Sequence, residues 1–207
     1  MNHTSEITAE PEIRSFPDHV ARVITEVCAP WVVVLFLPLA VAWEATGSPG
    51  PALGWGLLVA VTSSLLPMTV IVWGARTGRW DGHHVRDRAG RLVPLLALTS
   101  MSAVGLGLLV VLDAPWPMIA LDIATIVALL VTSGITAWWK VSLHAAVTAG
   151  AVPVLAAIYG PACWILLALV VAVSWSRVRL DDHTTAQVTV GALAGIAMAG
   201  GLFVALL

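Results

Sequence analysis

The sequence predicts an all-α protein, a polytopic bundle of six or seven transmembrane helices, on three observations. Only 11% of the 207 residues are charged and 59% are hydrophobic, whereas a soluble domain carries about 25% charged residues. The apolar residues fall in unbroken runs, most of them roughly 18–22 residues long, which suits a helix crossing hydrocarbon. The basic residues are confined to alternate connections between those runs.

Residues 1–27 are polar and contain Glu6, Glu10, Glu12 and Asp18, without the basic-then-apolar pattern of a secretory signal. Pro17-Asp18 suits a helix start, with Val20, Val23, Ile24 and Val27 on one face. The segment reads either as an interfacial helix or as a solvated cytoplasmic tail leading into the membrane domain, residues 28–207. Spans are expected at 28–46, 53–74, 93–112, 117–138 and 187–206, with a polar loop at 75–92 and a short polar step at 139–142. Two shorter runs, 143–159 and 161–176, meet at Tyr159-Gly160-Pro161, a turn signal. As helices they reach about 25 Å, so they are two short spans or a partly re-entrant pair. A polar segment at 176–186 precedes the last span. Asp122 lies inside the fourth span. An acid there is a functional candidate, but its distance from the basic cluster favours a structural role.

Nine Arg and one Lys make up the basic residues: Arg14, Arg22, Arg76, Arg79, Arg86, Arg88, Arg91, Lys140, Arg177 and Arg179. With seven spans all ten share the N-terminal side of the membrane, which the positive-inside rule assigns to the cytoplasm. Trp residues fall near both ends of the runs, as interfacial belts do. Cys28 and Cys163 fall on opposite sides, so no disulfide is expected. The bias toward Arg, Ala, Gly, Val and Leu suggests a GC-rich bacterial genome, hence a bacterial cell membrane. No cofactor and no nucleic-acid partner is expected, and the oligomeric state is left open.

Three polar segments share the basic face: Asp81–Pro94, Lys140–His144 and Ser176–Gln187. Guanidinium groups pair with the oxygens of a phosphate. Ser142 and His144 sit where a helix begins, and free N–H groups there favour an anion. His144 and His183 could supply a proton donor and a nucleophile. Gln187, four residues after His183, shares its helical face and could orient its ring. Each residue also has a plainer reading: Arg as a topology anchor, His as a cap, the 81–87 loop as a solvated turn. Their convergence on one face is what points to an anion site.

Ser176-Arg177, five residues, then His183 and a Gly-rich apolar helix resembles the third signature of the type 2 phosphatidic acid phosphatase superfamily. Val141-Ser142-Leu143-His144 is similar to its second signature, Pro-Ser-Gly-His. His84, six residues, then Arg91 is similar to its first, Lys, six residues, Arg-Pro. The matched region covers roughly residues 84–200. The resemblance implies a phosphatidic acid phosphatase-like helical fold and metal-independent removal of phosphate from a lipid phosphate or prenyl diphosphate. It implies that His183 attacks phosphorus, that His144 protonates the leaving oxygen, and that Arg91, Arg177 and the Ser142 region hold the phosphate. His84, Arg88 and Lys140 would add to that anion site. The sequence departs from the pattern at His84, Leu92, Val141 and Leu143, and at Gln187, where the family has an Asp that orients the nucleophile. If the site is a weakened hydrolase, Gln187→Asp is expected to maintain or raise activity. Two alternatives stand beside this: a Mg²⁺-dependent prenyl diphosphate enzyme using Asp81, Asp87, Asp181 and Asp182, and a non-catalytic protein that binds or transports lipid phosphates.

Overall fold

Proline opens five of the helices, at the first or second helical position, where its missing N–H costs nothing and its fixed φ suits the turn. The computed structural model describes residues 15–78 and 92–207, apart from the side chains of 92 and 93. Eight helices account for nearly all of these: α1 Phe16–Val27, α2 Pro30–Thr46, α3 Pro49–Arg76, α4 Leu92–Val111, α5 Trp116–Trp138, α6 Leu143–Tyr159, α7 Pro161–Arg179 and α8 Thr185–Leu206. Turns form where the sequence permits a left-handed residue: Gly47 at φ 60° closes α2, and Gly160 at φ 97°, followed by Pro161, closes α6.

Among the described residues five helices are long and apolar enough to cross a membrane: α3, α4, α5, α7 and α8. α1 and α2, bent by 45° at their junction, make a sixth candidate together. α6, at 17 residues, is shorter. The expected first span at 28–46 is therefore a 17-residue helix that reaches spanning length only with the amphipathic helix before it. The run expected to end at 176 continues as helix to Arg179, because hydropathy falls there while helix propensity does not.

α1 is docked rather than solvated. Its Asp18 carboxylate accepts a 2.8 Å hydrogen bond from Arg179 Nε at the end of α7, and Thr25 Oγ1 lies 3.1 Å from Ser176 Oγ. Phe16, Val23 and Val27 stay exposed on another face. Cys28 and Cys163 are both free thiols.

α6 runs through the middle of the bundle, packed against α2, α7 and α8. It is built from small residues, and ten of its residues between His144 and Val154 are buried. Small faces let backbones approach closely, the usual device where lipid gives no hydrophobic drive between helices. At one end of the bundle Val41, Leu109, Met118 and Phe203 are fully buried in one cluster.

Asp122 ties three helices together. Ser63 of α3 donates to Asp122 Oδ1 of α5 at 3.3 Å, and Ser102 of α4 donates to Ser63 at 3.0 Å. Ser63 lies in a π-helical stretch, Val61–Leu65, that widens α3 and turns Thr62, Ser63 and Ser64 inward. Asp122 is 0% exposed, which supports the structural role. Asp122→Asn keeps an acceptor for Ser63 and is expected to be near neutral, whereas Asp122→Ala strands the Ser63 hydroxyl and costs about 1–3 kcal/mol. Thermal unfolding in detergent reads the difference. Equal losses for both variants would contradict the tie.

Candidate functional site

The first turn of α6 is laid against the first turn of α8. Ser142 caps α6, accepting the Ala145 N–H at 3.4 Å, and its own N–H donates to the Gln187 carbonyl at 3.3 Å. Glycines allow the approach: a Cβ on Gly191 would stand 2.5 Å from the Ser142 carbonyl oxygen, and one on Gly195 would strike the Ala146 backbone. The segment carrying Ser142 and His144 is thereby fixed against the segment carrying Gln187.

Arg177 is not a membrane anchor. It continues the buried stripe of α7 formed by Val170 and Val173, at helical spacing, and is 3% exposed. The chain then folds tightly over it. Asp181 takes a left-handed φ of 55°, and the N–H groups of Asp182 and His183 both donate to the Arg177 carbonyl, at 3.2 and 3.1 Å. The Asp182 carboxylate pairs with Arg177 Nη2 at 3.1 Å. A guanidinium has five donors in a rigid fork, so this pair sets its plane.

α8 opens with a capping box: Thr184 Oγ1 accepts the Gln187 N–H, and Gln187 Oε1 accepts the Thr184 N–H at 3.1 Å. The same Oε1 lies 3.2 Å from His183 Nδ1. The Thr184 bond settles which way round the amide sits, presenting oxygen rather than nitrogen to the ring. An amide oxygen only accepts, so Nδ1 carries a proton, and in the neutral ring Nε2 holds the lone pair. The box thus sets both a helix end and a tautomer.

His144, Arg177 and His183 line one end of a cavity of about 190 Å³. His144 and His183 are each 7% exposed. Pro30, Trp31, Pro94 and Leu95 also stand on its wall. Of the residues singled out in the sequence, His144, Arg177 and His183 are together on the wall, with Ser142 and Gln187 behind them as cap and ring support. Lys140 is half-buried in the step before α6 and is not on the wall. His84, Arg88 and Arg91 lie outside the described residues, as do Asp81 and Asp87; α4 begins at Leu92, directly after Arg91. Two features escaped the sequence reading. The Thr184-x-x-Gln187 box carries a recognisable pattern, while the Arg177–Asp182 pair has no signal beyond Asp beside His. Trp31, read as a belt residue, lines the cavity.

Compared with family models, with curated proteins and with solved structures, the chain matches none.

Proposed function

We propose that the chain is a divergent bacterial member of the type 2 phosphatidic acid phosphatase superfamily. In this reading it spans the cell membrane six or seven times and removes phosphate from a lipid phosphate or prenyl diphosphate at its cytoplasmic face. The observation that carries the reading is His183: its Nδ1 is tied to Gln187 while it shares a cavity wall with Arg177 and His144. A His with one nitrogen protonated and held has the other available as a nucleophile.

His183 Nε2 attacks phosphorus and the P–O bond to the leaving oxygen breaks. His144 delivers a proton to that oxygen. Water, deprotonated by His144, then attacks the phosphohistidine and releases phosphate, returning His183 to its starting form. Arg177 holds phosphate oxygens throughout, its plane set by Asp182. By resemblance Arg91, Arg88 and His84 join it. No observation favours the Mg²⁺-dependent reading: Asp182, one of its candidate ligands, is engaged with Arg177.

Phosphate release from a panel of lipid phosphates and prenyl diphosphates, with and without chelator, tests the proposal. Release that survives the chelator is expected. Release lost with the chelator would move the assignment to the Mg²⁺-dependent class, and no release to a binding protein.

Gln187 supplies a prediction of its own. Gln187→Asp restores the residue of the family pattern, one methylene shorter than Gln, and is expected to maintain or raise activity. Gln187→Glu keeps both contacts and adds a charge that stabilises the developing imidazolium. Turnover is expected to rise about tenfold or more, and a fall with the fold intact would contradict the ring-support role.

A further inference from the structure

The cavity does not stop at the polar site. It follows α6 from His144 to Val154, ten residues, and α5 from Thr132 back to Leu121, eleven residues, a depth of about 15 Å at 1.5 Å per residue. Beyond the three polar residues at its mouth, the wall carries no charged side chain among the described residues. Its hydroxyls are already spent: Ser64 donates to the Trp31 carbonyl at 2.8 Å, Thr125 to Leu121 at 2.8 Å, Thr132 to Ala128 at 2.7 Å, and Ser63 to Asp122 at 3.3 Å. A wall with its polar groups satisfied internally favours hydrocarbon over water.

The far end is blind. Leu121 and Val154 belong both to the cavity wall and to the packed cluster of Val41, Leu109, Met118 and Phe203, all four fully buried.

We infer that this cavity is a length gauge for a hydrocarbon chain, closed at Leu121 and Val154, so that the ligand is a phosphate or diphosphate whose seated chain is limited in length. The inference rests on the phosphate reading of the mouth, but the gauge is a property of the wall. An extended chain advances about 1.2 Å per bond, as three backbone bonds per roughly 3.5 Å imply, so the floor is met at about twelve carbons.

The test is binding of n-alkyl phosphonates, hexyl to octadecyl, to the full chain in nanodiscs of neutral lipid, read by the fluorescence change that Trp31→Phe removes. The matching n-alkanols serve as headless controls. Affinity, referred to the free aqueous concentration of each phosphonate so that partition into the nanodisc lipid is removed, is expected to rise about fourfold per methylene, equivalent to about 0.8 kcal/mol, and to stop rising near dodecyl. Ala151→Leu, which fills the lower wall, should move the break to shorter chains, and Leu121→Ala should move it to longer ones. Affinity that climbs steadily to octadecyl, a break that neither variant moves, or no Trp31-dependent binding by any probe would each overturn the gauge. If alkanols show the break but phosphonates bind no tighter, the gauge stands and the phosphate site falls.

Discussion

His183→Ala is expected to leave no measurable phosphate release while the protein keeps its elution volume and helical circular dichroism. His183 has one ring nitrogen held by Gln187 at 3.2 Å and stands on the cavity wall with Arg177. Its backbone N–H, which closes the turn on the Arg177 carbonyl at 3.1 Å, survives the substitution, so the fold should too. His144→Ala is expected to slow turnover by about 10²–10⁴, the range for losing a positioned acid–base, and most for poor leaving groups. Arg177→Lys should lose about 10²-fold. A lysine keeps the charge but cannot hold both the Asp182 carboxylate and a phosphate in one plane. Activity retained in His183→Ala would remove the nucleophile assignment whatever the other variants do.

Gly195→Val should damage fold and site together. A side chain at 195 meets the Ala146 backbone, not a movable side chain, so α6 and α8 must separate. Overpacking costs about 1–3 kcal/mol, and a backbone obstacle places this variant at the upper end. Separation also draws His144 away from His183, so residual folded protein should be inactive. Gly107→Ala and Gly134→Ala are the controls: a Cβ at either position meets nothing within 4 Å, and alanine favours helix over glycine. Both should unfold at or slightly above the parent temperature and keep activity. Equal losses at 195 and 107 would mean that close packing of α6 on α8 is not what holds the site.

Most helices were legible because hydrophobic length and punctuation suffice to mark them: unbroken apolar runs, and turns at Gly47 and Gly160-Pro161. Ends were less legible. Hydropathy falls at Ser176, yet α7 continues to Arg179 because Arg177 turns inward to a carboxylate and Arg179 pairs with Asp18. The docking of α1 was equally hidden, since Thr25 and Ser176 are 151 residues apart in sequence and carry no shared pattern. Within the site, the cap at Ser142 and the Gln187–His183 pair followed from helix-start rules and i, i+4 spacing. The Arg177–Asp182 pair did not, because it depends on a left-handed turn at Asp181, a residue that gives no glycine signal. The blind cavity is a property of packing between helices that no single run of sequence encodes.

Chemical trapping of the phosphorylated protein identifies the nucleophile itself. The full chain is mixed with a phosphorus-labelled one-chain lipid phosphate in the presence of chelator, quenched in alkali, and digested for mass analysis. An acid-labile, alkali-stable label on His183 is expected, forming before phosphate is released and missing in His183→Ala. A label on another residue, or chelator-resistant turnover with no labelled protein at any time, would contradict it.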